Sequence, residues 1–201
     1  MTAEDNHTES NVSAFTANLT GLLRAVDLCL QEQLVLPTLA LIYTGIDVVS
    51  ALERTDTDRV QDHFIRWTGQ YLIPHLDTHI TALDIYGARC GVLHSFSPTS
   101  NLSRGKKARP IAYAWGNANV REIRAAARRL NADMPALHLT ALAKAFRLAI
   151  VDWIDDITTD SARAAVVETR SAGQWFAQLT KEQLAGFNQL PRKGFRTRPK
   201  R

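Results

Sequence analysis

The sequence predicts an all-α protein, a bundle of five to six helices with a small β insertion near residues 95–116. Three observations carry this expectation. Apolar residues recur at three- and four-residue spacing through most of the chain. Helix-starting and helix-stopping residues punctuate those stretches. One short island, Ile111, Tyr113 and Trp115, alternates instead with small Ala112 and Ala114 at period two. With 201 residues and 45% hydrophobic content, the chain reads as a single domain over 13–180, long enough to bury a core. Residues 1–12 are polar and acidic, lack the apolar run of a secretory signal, and read as a disordered start.

The elements follow in order. Phe15, Leu19, Leu22, Leu23, Val26, Leu28 and Leu30 give a first helix near 13–33. Pro37 suits the first turn of a second helix that runs to Leu52. Residues 34–52 carry one charge, Asp47, which lies well inside the run beside Pro37, Gly45 and Ser50. That pattern fits a buried core helix better than a bilayer span. Asp56 or Thr57 is placed to cap a third helix through Val60, Phe64, Trp67 and Leu72 that ends before Pro74. Thr81 precedes a fourth, which Pro98 stops. Residues 97–109 read as a polar loop, and the period-two island, closed by Gly116, as a small hairpin. A short basic helix spans 121–130, and a long one runs from Pro135 to Asp156. A last helix near 161–178 is expected to bury Ala165, Val166, Trp175 and Phe176.

Charge is unevenly placed. Residues 186–201 hold six bases and no acid, a basic disordered tail, which leaves 18 bases against 20 acids in the rest. An interior cluster, Arg104, Lys106, Lys107, Arg109, Arg121, Arg124, Arg128 and Arg129, is interrupted by Glu122 alone. Both groups are suited to phosphate, so RNA is the expected partner. The competing account is a solvated face and a solubilising tail. Cys29 and Cys90 are too few for a disulfide framework, which points to a reducing, cytoplasmic setting.

Thr44, Asp47, Ser50 and Arg54 form a narrow polar stripe on the second helix. Asp47 either pairs with Arg89 or His94 or lies along its own helix toward Arg54. His75 and His79 stand at i, i+4, a zinc-compatible spacing, but no further ligands accompany them, so neither a metal site nor a cofactor is expected. His63 and His138 read as satisfied positions, and Asp152, Asp155 and Asp156 as a solvated helix end.

Arg89 and His94 are different. Cutting RNA without a metal needs a proton acceptor for the 2′-hydroxyl, a proton donor for the leaving oxygen, and a cation at phosphorus. Histidine serves the first two near neutral pH, and arginine the third. Residues five apart on a regular helix point about 140° apart, so one chain is not expected to focus both on one phosphate unless Gly91 loosens the turn. Two copies facing each other across a twofold axis are expected to do so.

The segment Leu83-Asp84-Ile85-Tyr86-Gly87-Ala88-Arg89-Cys90-Gly91-Val92-Leu93-His94, followed by basic sequence, resembles the motif helix of the HEPN superfamily, small all-helical domains that include many metal-independent ribonucleases. The helical order of residues 15–160 matches more loosely. The resemblance implies a HEPN-like bundle acting as an RNA endonuclease or RNA-binding protein, of toxin or phage-defence type. It further implies a homodimer with Arg89 and His94 at a shared cleft, and a neutralising protein partner. The chain departs from the pattern at Cys90, where active members commonly carry Asn, Asp or His. The alternative is a catalytically inert helical interaction protein in which Arg89 and His94 are structural.

Overall fold

The computed structural model describes residues 3–76 and 79–174. Within them lie α1 (Ala3–Gln31), α2 (Val35–Leu52), α3 (Val60–Trp67), α4 (Ala82–Ser95), α5 (Asn101–Arg104), β1 (Ala112–Ala114), α6 (Val120–Arg129), β2 (Ala136–His138), α7 (Leu139–Thr158) and α8 (Ser161–Gln174). The chain is 71% helical, so the all-α class holds, and the stretch expected as a polar loop contains the short helix α5. The tail at 186–201, with Trp175 and Phe176, lies outside the described residues.

Helix α2 is the axis of the bundle and packs against α1, α3, α4, α7 and α8. Its Ile42, Tyr43, Ile46, Val49 and Leu52 are fully buried, together with Phe64, Ile85, Leu142, Phe146 and Trp153 from the helices around it. By length and composition α2 could cross a membrane, yet half of it is buried inside the bundle. Pro37 does sit in its first turn, and the Thr38 hydroxyl donates to the Leu34 carbonyl at 2.8 Å where no side chain caps the helix.

Helix α1 starts at Ala3, ten residues before the start expected from apolar spacing. Leu28, one of the apolar residues that mark this helix, is exposed. The third helix enters at Arg59 rather than at Asp56 or Thr57, because Asp62 receives the Arg59 backbone N–H. Asp58 is instead used in the preceding turn, where it accepts from Thr55 N at 2.9 Å. Beyond Trp67 the coil widens into a π turn over Thr68–Leu72 and then tightens to a 3₁₀ turn over Ile73–His75, which accommodates Pro74.

The β insertion is not a hairpin. β1 pairs with β2 in parallel, Ala112 beside Ala136 and Ala114 beside His138, and α6 forms the crossover. Parallel strands require such a connection. The residues of β2, expected at the start of the long helix, precede it, and that helix begins at Leu139. There, His138 Nδ1 accepts from Thr140 N and Nε2 faces the Gly116 carbonyl at 3.2 Å. Tyr43 and Tyr113 meet through their hydroxyls and tie this unit to α2. In α8 the buried residues are Val167 and Ser171, whereas Ala165 and Val166 face outward, one position out of the expected register.

Candidate functional site

Helix α4 begins with a reciprocal cap. Thr81 Oγ1 accepts from Asp84 N at 3.1 Å, and Asp84 Oδ2 accepts from Thr81 N at 3.0 Å. Asp84 is buried and also takes Arg109, through the backbone N–H at 2.7 Å and through the guanidinium Nη2 at 2.7 Å. Burial pushes the Asp84 carboxyl up, but the bonds from Arg109 and Thr81 outweigh it and hold the group below its ordinary value. This anchor fixes the N-terminal end of the helix that carries Arg89 and His94.

Asp47 of α2 and Arg89 of α4 meet across the packed face of the two helices. Arg89 Nε lies 2.8 Å and Nη2 2.6 Å from the same oxygen, Asp47 Oδ2. Arg89 Nη1 lies 3.1 Å from His94 Nε2 and, more weakly, 3.9 Å from Cys90 Sγ. The Tyr86 ring, one turn earlier, sits 5.9 Å from the guanidinium carbon. Because arginine only donates, the contact is a hydrogen bond in the tautomer whose Nε2 accepts and whose Nδ1 carries the proton.

Two expectations are corrected. Arg89 and His94 converge within one chain, because the long arginine stem, held by Asp47, spans the divergence of their Cα–Cβ bonds. Gly91 does not loosen the helix, which stays regular to Ser95. It provides room instead: a Cβ there would lie 2.5 Å from the Ser97 carbonyl oxygen, where the chain folds back onto α4.

The electrostatics of the pair follow from its geometry. Burial would lower Arg89, but its bonds to Asp47 keep its pKa above the ordinary value. Burial raises Asp47 more than Arg89 lowers it. The two partners differ because Arg89 serves only Oδ2, and Oδ1 is buried with no hydrogen-bond partner. Only 14% of the Arg89 side chain is exposed, whereas His94 is exposed.

The interior basic cluster is divided by the fold. Arg109 is committed to Asp84, and the half-buried Arg124 donates to the Ala136 carbonyl at 3.0 Å. Arg104, Lys106, Lys107, Arg121, Arg128 and Arg129 remain exposed. Among the described residues, none of the eight is a hydrogen-bond or ion-pair partner of Asp47, Arg89 or His94. Segment 97–108 packs on Gly87 and Gly91, on the side of α4 roughly opposite Arg89 at about 100° per residue.

The other candidates resolve individually. His75 pairs with Asp152 at 2.6 Å rather than with His79, and Asp156 accepts from Tyr71 at 2.6 Å and Arg163 at 2.8 Å. Of the three acidic residues read as a solvated end, this leaves only Asp155 free of a carboxylate contact of that kind. Among the described residues, no three His, Cys, Asp or Glu side chains gather as a metal-binding group. His63, expected to be satisfied, is buried with Nδ1 unpartnered. Sequence reasoning missed Tyr86, which its i−3 spacing from Arg89 could have revealed. It also missed Phe96, whose backbone carries no signal in composition. No family model, curated protein or solved structure matches this chain.

Proposed function

We propose that this chain is a HEPN-like, metal-independent RNA endonuclease whose centre is Asp47, Arg89 and His94. The observation that carries the reading is their linkage. A carboxylate on the central helix orients a guanidinium, which in turn lies within hydrogen-bond reach of an exposed imidazole. On arrival of RNA, a phosphate oxygen replaces His94 as the acceptor of the Arg89 Nη1 proton. The Nε2 lone pair of His94 is then free to take the 2′-hydroxyl proton. The 2′-oxygen attacks phosphorus, the bond to the 5′-oxygen breaks, and that oxygen leaves with a proton. Arg89 neutralises the charge that builds on the non-bridging oxygens. One imidazole cannot be base and acid in the same step, so a second copy's His94 is assigned the acid role and the active form is a homodimer. Light scattering at micromolar concentration reads that state, and a strict monomer counts against the composite site. A cytoplasmic toxin or phage-defence role with a neutralising partner rests on the family resemblance alone.

The second reading is an inert helical interaction protein. The burial of Arg89 favours it, since a guanidinium engaged by Asp47 also serves simply to join α2 to α4. Cleavage assays separate the two. The protein should cut RNA in EDTA and leave 2′,3′-cyclic phosphate and 5′-hydroxyl ends. His94→Ala should abolish cutting, and Arg89→Ala should slow it by at least about 10²-fold, the usual cost of losing a donor to transition-state charge. Equal inactivity of wild type and His94→Ala on structured and unstructured RNA would leave the inert reading standing.

A further inference from the structure

Helix α4 ends unusually. A helix that stops in the left-handed region normally does so on glycine, which has no Cβ to clash. Here the residue is Phe96, at φ 47° and ψ 35°. Its N–H bonds the Val92 carbonyl at 3.2 Å, and Ser97 N bonds the Gly91 carbonyl at 3.1 Å, so the reversal is fully hydrogen-bonded. The other non-glycine residues at positive φ among the described ones are Gln33, Lys106 and Asn131, all polar. Phe96 is also 70% exposed. A bulky aromatic is therefore held in a conformation that disfavours it and presented to solvent, two residues beyond His94. Local rules broken together beside a candidate site point to a binding role.

We propose that Phe96 is a stacking platform for an unpaired nucleobase adjoining the phosphate held at Arg89 and His94; this rests on the RNA reading above. The flanking residues favour a base over a protein face. Its sequence neighbours Ser95, Ser97, Pro98 and Thr99 are hydroxylated or small, a setting that suits a solvated base better than a large apolar face. An exposed ring two residues beyond the His94 imidazole matches the recognition of single-stranded nucleic acid, in which aromatic faces take bases of any identity and cations take the backbone. Gly91 makes the platform possible, because it lets the chain fold back directly after the histidine and leaves Phe96 at the apex. The platform selects unpaired RNA, since bases inside a duplex already stack on each other.

The test uses the full chain, with Phe96→Ala, Phe96→Gly and Phe96→Trp compared on a single-stranded oligoribonucleotide carrying 2-aminopurine. Phe96→Ala and Phe96→Gly should weaken binding about 5- to 100-fold, the fold-change equivalent of one lost base stack, and should abolish the fluorescence quench. Phe96→Trp should retain both, and affinity for duplex RNA should not change. Phe96→Gly should also raise the melting temperature, because glycine suits the left-handed cap, which separates loss of binding from loss of fold. Single-strand affinity of Phe96→Gly within twofold of wild type, with Arg89→Ala binding lost, overturns the platform and leaves the RNA reading intact. Conversion of a dimer to a monomer by Phe96→Gly at unchanged RNA affinity also overturns it, and assigns the ring to a second copy. Absence of RNA binding by every form, wild type included, removes the RNA reading itself.

Discussion

Four buried side-chain atoms among the described residues have no hydrogen-bond partner: Asp47 Oδ1, His63 Nδ1, Trp67 Nε1 and Thr68 Oγ1. Each such group costs about 1–3 kcal/mol relative to a paired one. Three of them fall where α3 widens into the π turn, and His63 and Trp67 line a cavity of about 230 Å³ with Ser50, Glu53, Tyr71 and Arg163. Around that cavity the remaining polar groups are well matched. Glu53 takes Trp153 at 2.6 Å and Arg163 at 2.8 Å, and burial pushes the Tyr71 hydroxyl, bonded to Asp156, up to about 12. Burial, and then the charge of Arg54, lower the pKa of His63 from its ordinary 6.5. The unfolded chain therefore takes up a proton that the folded chain refuses as pH falls below 6.5. Stability should decline from about pH 7 toward pH 5 in urea titrations, and His63→Gln should flatten that decline. Asp47, raised by burial, acts in the opposite sense at lower pH, because its folded form accepts a proton more readily than its unfolded form. A His63→Gln profile as steep as that of wild type would remove His63 as the source.

At the scale of elements, Gly91 separates helix propensity from packing. Alanine is favoured over glycine inside a helix by about 1 kcal/mol. At Gly91, however, the new Cβ would meet backbone oxygen of Ser97 at 2.5 Å and of Thr99 at 3.2 Å, and neither can swing aside as a side chain would. Gly91→Ala should therefore destabilise the protein by about 1–3 kcal/mol in urea unfolding. Gly21→Ala on α1, where nothing lies within 4 Å, should instead stabilise it by about 0.5–1 kcal/mol. The same contrast explains what was legible in the sequence. The spans of α2 and α4 follow from periodicity, Pro37 and Thr81, because those signals are local. The pairing of Asp47 with Arg89 was one of two options on a polar stripe, and only the packing of α2 on α4 selects it. β2 was hidden because Ala136-Leu137-His138 runs into an apolar helix with no break in composition. The π turn and the register of α8 depend on tertiary contacts that no window of sequence reports.

For the whole molecule, charge is the property that reaches farthest. Neutralising Arg121, Arg128 and Arg129 removes three exposed cations from one helix, while Arg109 and Arg124 are held by internal partners. If these cations meet phosphate, the triple variant should weaken RNA binding without regard to sequence and lower the log–log salt slope by about one per lost contact. Unchanged affinity and slope would make α6 a solvated face. Arg109→Ala belongs to a different class and should act through stability, because it leaves buried Asp84 without its counter-charge.

The parallel pairing of β1 with β2 also makes the small sheet a dependent of the bundle. Each helix closes its bonds between residues four apart, but Ala112 can meet Ala136 only after all of segment 113–135 has doubled back. Two strands of three residues do not persist alone in water. The sheet therefore depends on the bundle, to which Tyr113 ties it through the hydroxyl of Tyr43 on α2. Loss of that tie should loosen the sheet while the helices around α2 keep their own buried core.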